Sequence, residues 1–160
     1  MRHWLTVLVV CLGLWAADAP PPKQPVAFSH KQHAGDLKMP CKNCHTNPEP
    51  GELMTFAAEA KCMACHQTIK TESEDIQKLA RFAQEKKRLP WVRVYQLPTY
   101  VFWSHKTHLG TGATCADCHG AVAEKTVMFK EKDISMGACM ECHRQKKASM
   151  DCTYCHDKAN

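Results

Sequence analysis

Apolar positions are spread unevenly along this 160-residue chain. Residues 4–17 form an apolar run interrupted only by Thr6, Gly13 and small residues. Beyond it, large aliphatic residues are sparse and mostly aperiodic. One stretch has a helical period, with Ile76, Leu79, Ala80 and Ala83 on one face. Thr71 and Glu74 stand before it at capping-box spacing, with Thr71 as N-cap. Basic residues 86–88 suit its negative C-terminal end, and Pro90 stops it. The pattern predicts one longer helix near residues 72–88. Residues 91–102, aromatic and β-branched with Pro98 inside, are predicted to be extended. Elsewhere the pattern predicts loops and single helical turns.

Such a chain is too poor in Leu, Ile and Val to bury a conventional core. It is rich instead in Cys, with 11, and His, with 10. The cysteines after Cys11 fall into a repeated motif: Cys41-Lys42-Asn43-Cys44-His45, Cys62-Met63-Ala64-Cys65-His66, Cys115-Ala116-Asp117-Cys118-His119, Cys139-Met140-Glu141-Cys142-His143 and Cys152-Thr153-Tyr154-Cys155-His156. Cys-x-x-Cys-His is the attachment signature of c-type haem. The two thiols form thioethers with the haem vinyl groups, and the adjacent His reaches the iron. Two Cys-x-x-Cys pairs can also build a zinc site. Zinc does not ask for His after every second Cys, and all five pairs have it. A disulfide framework leaves the histidines unexplained as well. The sequence therefore predicts five covalently bound c-type haems. Their cysteines are Cys41, Cys44, Cys62, Cys65, Cys115, Cys118, Cys139, Cys142, Cys152 and Cys155. Their proximal ligands are His45, His66, His119, His143 and His156. Porphyrin faces would supply the missing apolar interior, with Trp91, Tyr95 and Tyr100 packing on them or filling core.

The motifs sit in an internal repeat. Phe28-Ser29-His30-Lys31-Gln32-His33 precedes the first motif, and Trp103-Ser104-His105-Lys106-Thr107-His108 precedes the third. Each His-x-x-His pair presents two imidazoles from one helical turn to neighbouring haems. His30, His33, His105 and His108 are thus candidate distal ligands. Four histidines leave the fifth haem to another ligand or to an open iron. Of the methionines, Met136, in Ser135-Met136-Gly137-Ala138-Cys139, is the preferred fifth distal ligand. It would raise that haem's potential relative to bis-His haems.

The expected organisation is a signal peptide at 1–17 and a proline-rich linker at 18–27. A first half at 28–70 holds one His-x-x-His and two haems. A helix and extended connector occupy 71–102, and 103–160 hold the second His-x-x-His and three haems. The apolar run is too short for a comfortable membrane span, and Ala16 and Ala17 offer a cleavage site; an uncleaved anchor is the alternative. Cys11 follows Val10 and looks like a passenger. The expected location is the periplasm, or the periplasmic side of a membrane. The formal charge of +5 invites a nucleic-acid reading. Five haems bring roughly ten propionate charges, however, which removes the argument for nucleic acid.

The paired histidines upstream of haem motifs resemble the class III cytochromes c, including cytochromes c3 and c7. In that group such pairs supply distal ligands to different haems. The resemblance implies little regular structure, with short helices and loops wrapped around the haems. Residues 64–70, 76–79, 90–94, 97–98, 101–105 and 135–144 also resemble the pentahaem cytochrome subunit of alternative complex III, over most of residues 26–156. That resemblance implies electron relay from a quinol-oxidising membrane complex with an iron–sulfur or molybdopterin-type subunit to a redox-protein acceptor. The compact chain suits a free-standing relative as well as a complex subunit. An electron-transfer protein without catalytic residues or a small-molecule substrate is expected. The alternatives are a reductase of a small oxyanion at one open haem and a subunit of an extracellular haem polymer.

Overall fold

The computed structural model describes residues 20–157. The expected signal peptide, with Cys11, lies outside them. Six α-helices occur among these residues: α1 Glu59–His66, α2 Glu74–Gln84, α3 His105–Gly110, α4 Cys115–His119, α5 Met136–Lys146 and α6 Cys152–His156. Short tighter or wider turns lie at Lys31–Asp36, Cys41–Asn43 and Val122–Glu124. No strand forms among the described residues. None of their helices is long and apolar enough to cross a membrane.

The apolar side of α2 packs on α1 and on the returning chain. Val26, Leu79 and Leu89 are the buried hydrophobic residues, with Cys62, Met63, Ile76, Phe82 and Trp91 partly buried around them. No side chain in the described residues is fully buried. Meanwhile Leu37, Ile69, Val127 and Tyr154 are all more than half exposed. The polypeptide alone builds one small core in its first half and leaves apolar surface facing outward elsewhere.

Two expectations are corrected here. Helix α2 begins at Glu74 with Ser73, not Thr71, as its N-cap, and Ser73 makes no side-chain cap bond. Lys70 has φ +56°, so the chain turns back, and Ser73 N–H donates to the Lys70 carbonyl at 3.0 Å. That turn consumes the residues that the capping box would have used. At the other end Lys86 takes φ +54° and closes the helix. Residues 86–88 therefore lie beyond its last turn, and Arg88 instead reaches the carbonyls of Phe56 and Ala57 at 2.8 and 3.0 Å. Second, α5 is as long as α2, at 11 residues each, where only single turns were expected. Ser135 caps it by accepting from Ala138 N–H, and Glu141 braces Arg144 and Gln145 along one face. It carries no apolar stripe that a periodicity reading could detect.

Residues 91–102 form neither helix nor strand, turn at Pro98–Val101, where Val101 N–H donates to the Pro98 carbonyl at 3.0 Å, and are pinned by side chains. The Gln24 amide pairs both ways with the Val92 backbone, at 2.9 and 3.0 Å. Lys78 donates to the Pro25 carbonyl at 2.7 Å. The proline-rich segment is thus docked from Gln24 onward.

The two halves of the repeat interlock reciprocally. The Lys31–Asp36 turn of the first half sits on the Val122–Glu124 turn of the second. Lys31 N–H donates to the Lys125 carbonyl at 2.8 Å, and Gly35 lies so close to the Ala123 carbonyl that a Cβ would collide with it. In return α3 sits on the loop that follows the first motif. Lys106 N–H donates to Gly51 O at 3.0 Å, and Ser104 Oγ donates to the same carbonyl at 3.1 Å.

Candidate haem sites

Each motif from the second to the fifth lies on one helical turn of α1, α4, α5 or α6, and the first begins the Cys41–Asn43 turn. On such a turn residues i and i+3 share a face, so the two cysteines of a motif point together and the following His stands beside them. Local caps fix these starts. Thr114 and Asp117 form a capping box for α4. Asp151 accepts from Thr153 N–H at 3.0 Å at the start of α6. None of the ten cysteines from Cys41 to Cys155 is paired in a disulfide.

The structure brings the histidines together in pairs. His30 faces His45 with ring centroids 6.4 Å apart and planes 13° from parallel. His105 faces His119 at 6.4 Å and 5°. His33 and His66 are 6.2 Å apart, tilted by 56°, and His108 and His143 are 6.2 Å apart, tilted by 42°. An iron held by two imidazoles, each nitrogen ~2 Å away, keeps the ring centroids ~6 Å apart. All four separations fit that requirement. Within each His-x-x-His the first imidazole addresses the nearest downstream motif and the second addresses the motif after it. Among the described residues no group of three or more His, Cys, Asp or Glu side chains converges on a common point. Imidazole pairs, not tetrahedral clusters, are what the chain presents.

The outer nitrogens fix the tautomers. Nδ1 donates to a backbone carbonyl in His33 (Ser29), His45 (Thr55), His66 (Ile69), His105 (Glu52), His108 (Ser104), His143 (Ser149) and His156 (Tyr100), over 2.6–3.1 Å. A carbonyl only accepts, so the proton sits on Nδ1 and the Nε2 lone pair is left for a metal. His30 differs: its Nδ1 is buried without a partner. Burial, and then the neighbouring His45 and His33, push the His30 pKa down to about 4. His119 is lowered by burial and then by His105 and His45. Low pKa values keep these imidazoles neutral, the ligating form.

Aromatic rings brace the same set. Phe28 stacks on His33 at 4.5 Å, and Trp103 stacks on His108 at 4.9 Å, repeating one arrangement in both halves. Tyr95 sets its edge against His119 at 4.5 Å, and its hydroxyl accepts from Glu131 and Lys132 N–H at 2.8 and 3.1 Å. Trp91 joins the small core beside Phe28 and Phe56.

The fifth motif stands apart. His156 donates to the Tyr100 carbonyl, and the Tyr100 ring lies 6.0 Å from its imidazole. No second imidazole faces His156 among the described residues. Met136 is the first residue of α5 and is 67 % exposed. Sequence reasoning missed the carbonyl acceptors and the packing of Tyr95 on His119, which have no residue-type signature.

Comparison with known proteins follows the same division. A class III cytochrome c family model matches residues 15–90, and a model of cytochrome c7 and related cytochromes c matches residues 101–158. The chain is 27 % identical to the multihaem cytochrome c subunit of menaquinone reductase from Nitratidesulfovibrio vulgaris, over 94 % of this chain and 86 % of that protein. It is also 32 % identical over 78 residues to the cytochrome c nitrite reductase subunit NrfA of the same organism, across 43 % of this chain but only 15 % of that one. With one family model on each half of the repeat, and the paired imidazoles that both halves build, this chain is similar to the class III and c7-type multihaem cytochromes c.

Proposed function

We propose that this chain is an exported pentahaem cytochrome that relays electrons between a redox protein and a quinone-linked membrane oxidoreductase. Covalent c-type haems follow from the family; the number five, and the ligand assignment, are our reading of the motifs. Ten cysteines, Cys41 to Cys155, hold the porphyrins, and His45, His66, His119, His143 and His156 are proximal ligands. His30, His33, His105 and His108 complete four irons, with Met136 the candidate for the fifth. Bound haem supplies one-electron transfer, and the protein holds, orients and shields it. Similarity to a menaquinone reductase subunit supports a quinone-oxidoreductase partner. The apolar run at 4–17 supports export to the periplasm. The chain itself has no catalytic role in this reading.

The observation that carries the proposal is the set of four imidazole pairs at 6.2–6.4 Å. Intact mass spectrometry of the holo-protein, with electron paramagnetic resonance of its oxidised form, tests it. The expected result is five covalent haems, with at least four low-spin irons. Fewer haems, or several high-spin irons, would refute it.

A reductase reading is favoured by one observation, the absence of an imidazole facing His156 among the described residues, beside the partial likeness to a nitrite reductase subunit. A high-spin signal that shifts on adding nitrite or sulfite would select it. A low-spin fifth haem whose sulfur–iron band is lost in Met136→Ala would select the relay.

A further inference from the structure

The interlock between the halves fixes more than which histidine meets which. We infer that the five haem motifs stand in single file in the spatial order second, first, third, fourth, fifth, so that the second and fifth motifs form the two ends. The inference rests on the pentahaem reading above and adds the route through the molecule.

Four contacts give the order. His30 and His33 leave one turn, and they face His45 of the first motif and His66 of the second. Those two sites are therefore neighbours, and the Cys44 and Cys62 thiols are close enough to interact. By the same logic His105 and His108 join the third and fourth motifs, where Cys118 lies near Cys139 and Cys142.

The first and third motifs meet across the interlock. The Cys41 and Cys115 side chains lie near each other, and His45 and His119 lie within electrostatic reach. Backbone contacts say the same independently. His105, which faces the third motif, donates from Nδ1 at 2.8 Å to Glu52, in the loop after the first motif. Lys31, between the two histidines that serve the first half, donates to Lys125, just after the third motif. A cleft of about 480 Å³ has His45, Lys42 and Met54 on one side and Lys106 and Leu109 of α3 on the other. Each distal turn thus leans on the loop of the other half, which places the first and third motifs back to back about an approximate two-fold.

The fifth motif attaches beyond the fourth. Trp103 stacks on His108, the imidazole that faces His143 of the fourth motif, and the residue before it, Phe102, is hydrogen-bonded to the fifth motif. Phe102 N–H donates to the Cys155 carbonyl at 2.8 Å, and His156 donates to Tyr100, so α6 hangs on the strand-like stretch that leads into α3. The second motif, with α1, packs against α2, Val26 and Leu89, all of the first half, and among the described residues no second-half helix packs substantially on α1.

Haem-to-haem nuclear Overhauser contacts in the reduced wild-type holo-protein test the order. The haem beside Tyr95 identifies the third motif, and the haem beside Tyr100 identifies the fifth. Expected cross-peaks join the second to the first, the first to the third, the third to the fourth and the fourth to the fifth. A cross-peak from the second haem to the third, fourth or fifth would overturn the order, as would the absence of any between the first and third. Intact mass measured on the same sample separates the two failures: fewer than five haems sinks the pentahaem reading itself, whereas five haems with the wrong contacts sink the order alone.

Discussion

Removing the Glu59 carboxylate should loosen the second haem site from its supports. Glu59 is only 5 % exposed and opens α1, the helix that carries Cys62, Cys65 and His66. Its Oε1 accepts from Leu89 N–H at 2.7 Å, tying the helix start to one of the three buried apolar residues. A buried hydrogen bond to a charged acceptor contributes about 1.5–3 kcal/mol. The Arg88 guanidinium lies 3.5 Å away but is 55 % exposed, so that pair adds only about 0.5 kcal/mol. An acidic residue in the first helical turn adds about 0.5 kcal/mol against the helix dipole. Glu59→Ala should therefore cost about 3 kcal/mol. With a guanidinium slope of about 4 kcal/mol per M, the unfolding midpoint drops by about 0.7 M. Glu59→Gln keeps an acceptor oxygen and should lose about half as much. Denaturation of the holo-protein followed by tryptophan fluorescence measures both. A midpoint in Glu59→Ala within about 0.2 M of wild type would refute the reasoning, because it would mean that Leu89 N–H finds an equal partner in water.

Three further outcomes can be checked. Gly120 follows His119 directly with φ +72°, and a Cβ there would strike the Glu131 carboxylate that pairs with buried Lys125; Gly120→Ala should cost about 2–3 kcal/mol by the same denaturation assay, and a loss under about 0.5 would contradict it. His108→Ala should leave the His143 iron without its second imidazole and add one high-spin haem to the paramagnetic resonance spectrum, while the His30–His45 and His33–His66 signals stay; no new high-spin signal would break the pairing. The His30 Nδ1–H lacks the carbonyl that both His33 and His66 possess, so its imidazole donates less electron density. The haem between His30 and His45 should titrate ~40 mV above the one between His33 and His66, for ~1 kcal/mol of oxidation-dependent hydrogen bonding. Haem-resolved redox titration finding the reverse order would remove that cause.

How much of this was legible before folding depends on whether the information was local. The helical turns at the Cys-x-x-Cys-His motifs and at the two His-x-x-His pairs were legible because each pattern is complete within a few residues. Helix α2 was legible through Ile76, Leu79, Ala80 and Ala83, but its start was not. Thr71 has the right spacing, yet the turn at Lys70 moves the cap to Ser73. Helix α5 was missed because its stability comes from Ser135 and from Glu141 with Arg144, on a helix with no buried residue. The partner of each distal histidine was illegible for another reason. The interlock is made by main-chain carbonyls of Glu52, Gly51 and Lys125 and by the bare Cα of Gly35. A carbonyl is the same on every residue, so no side-chain code announces it.

The same interlock explains why a chain with so small a core can hold haems in register. A perfect duplication would give a molecule whose two ends are equivalent, with His33–His66 at one and His108–His143 at the other. The fifth motif breaks that equivalence. Its His156 is anchored to Tyr100, outside both His-x-x-His turns, and among the described residues no third such turn faces it. One end of the file therefore closes on a bis-imidazole site supported by α1, α2 and the Val26–Leu79–Leu89 core. The other closes on a site that the repeat does not complete. A thioether or an open position there gives that end a different potential from its neighbours. Direction along the file thus comes from one unit added to a symmetric pair, and Met136→Ala probes the added unit without disturbing the interlock that orders the rest.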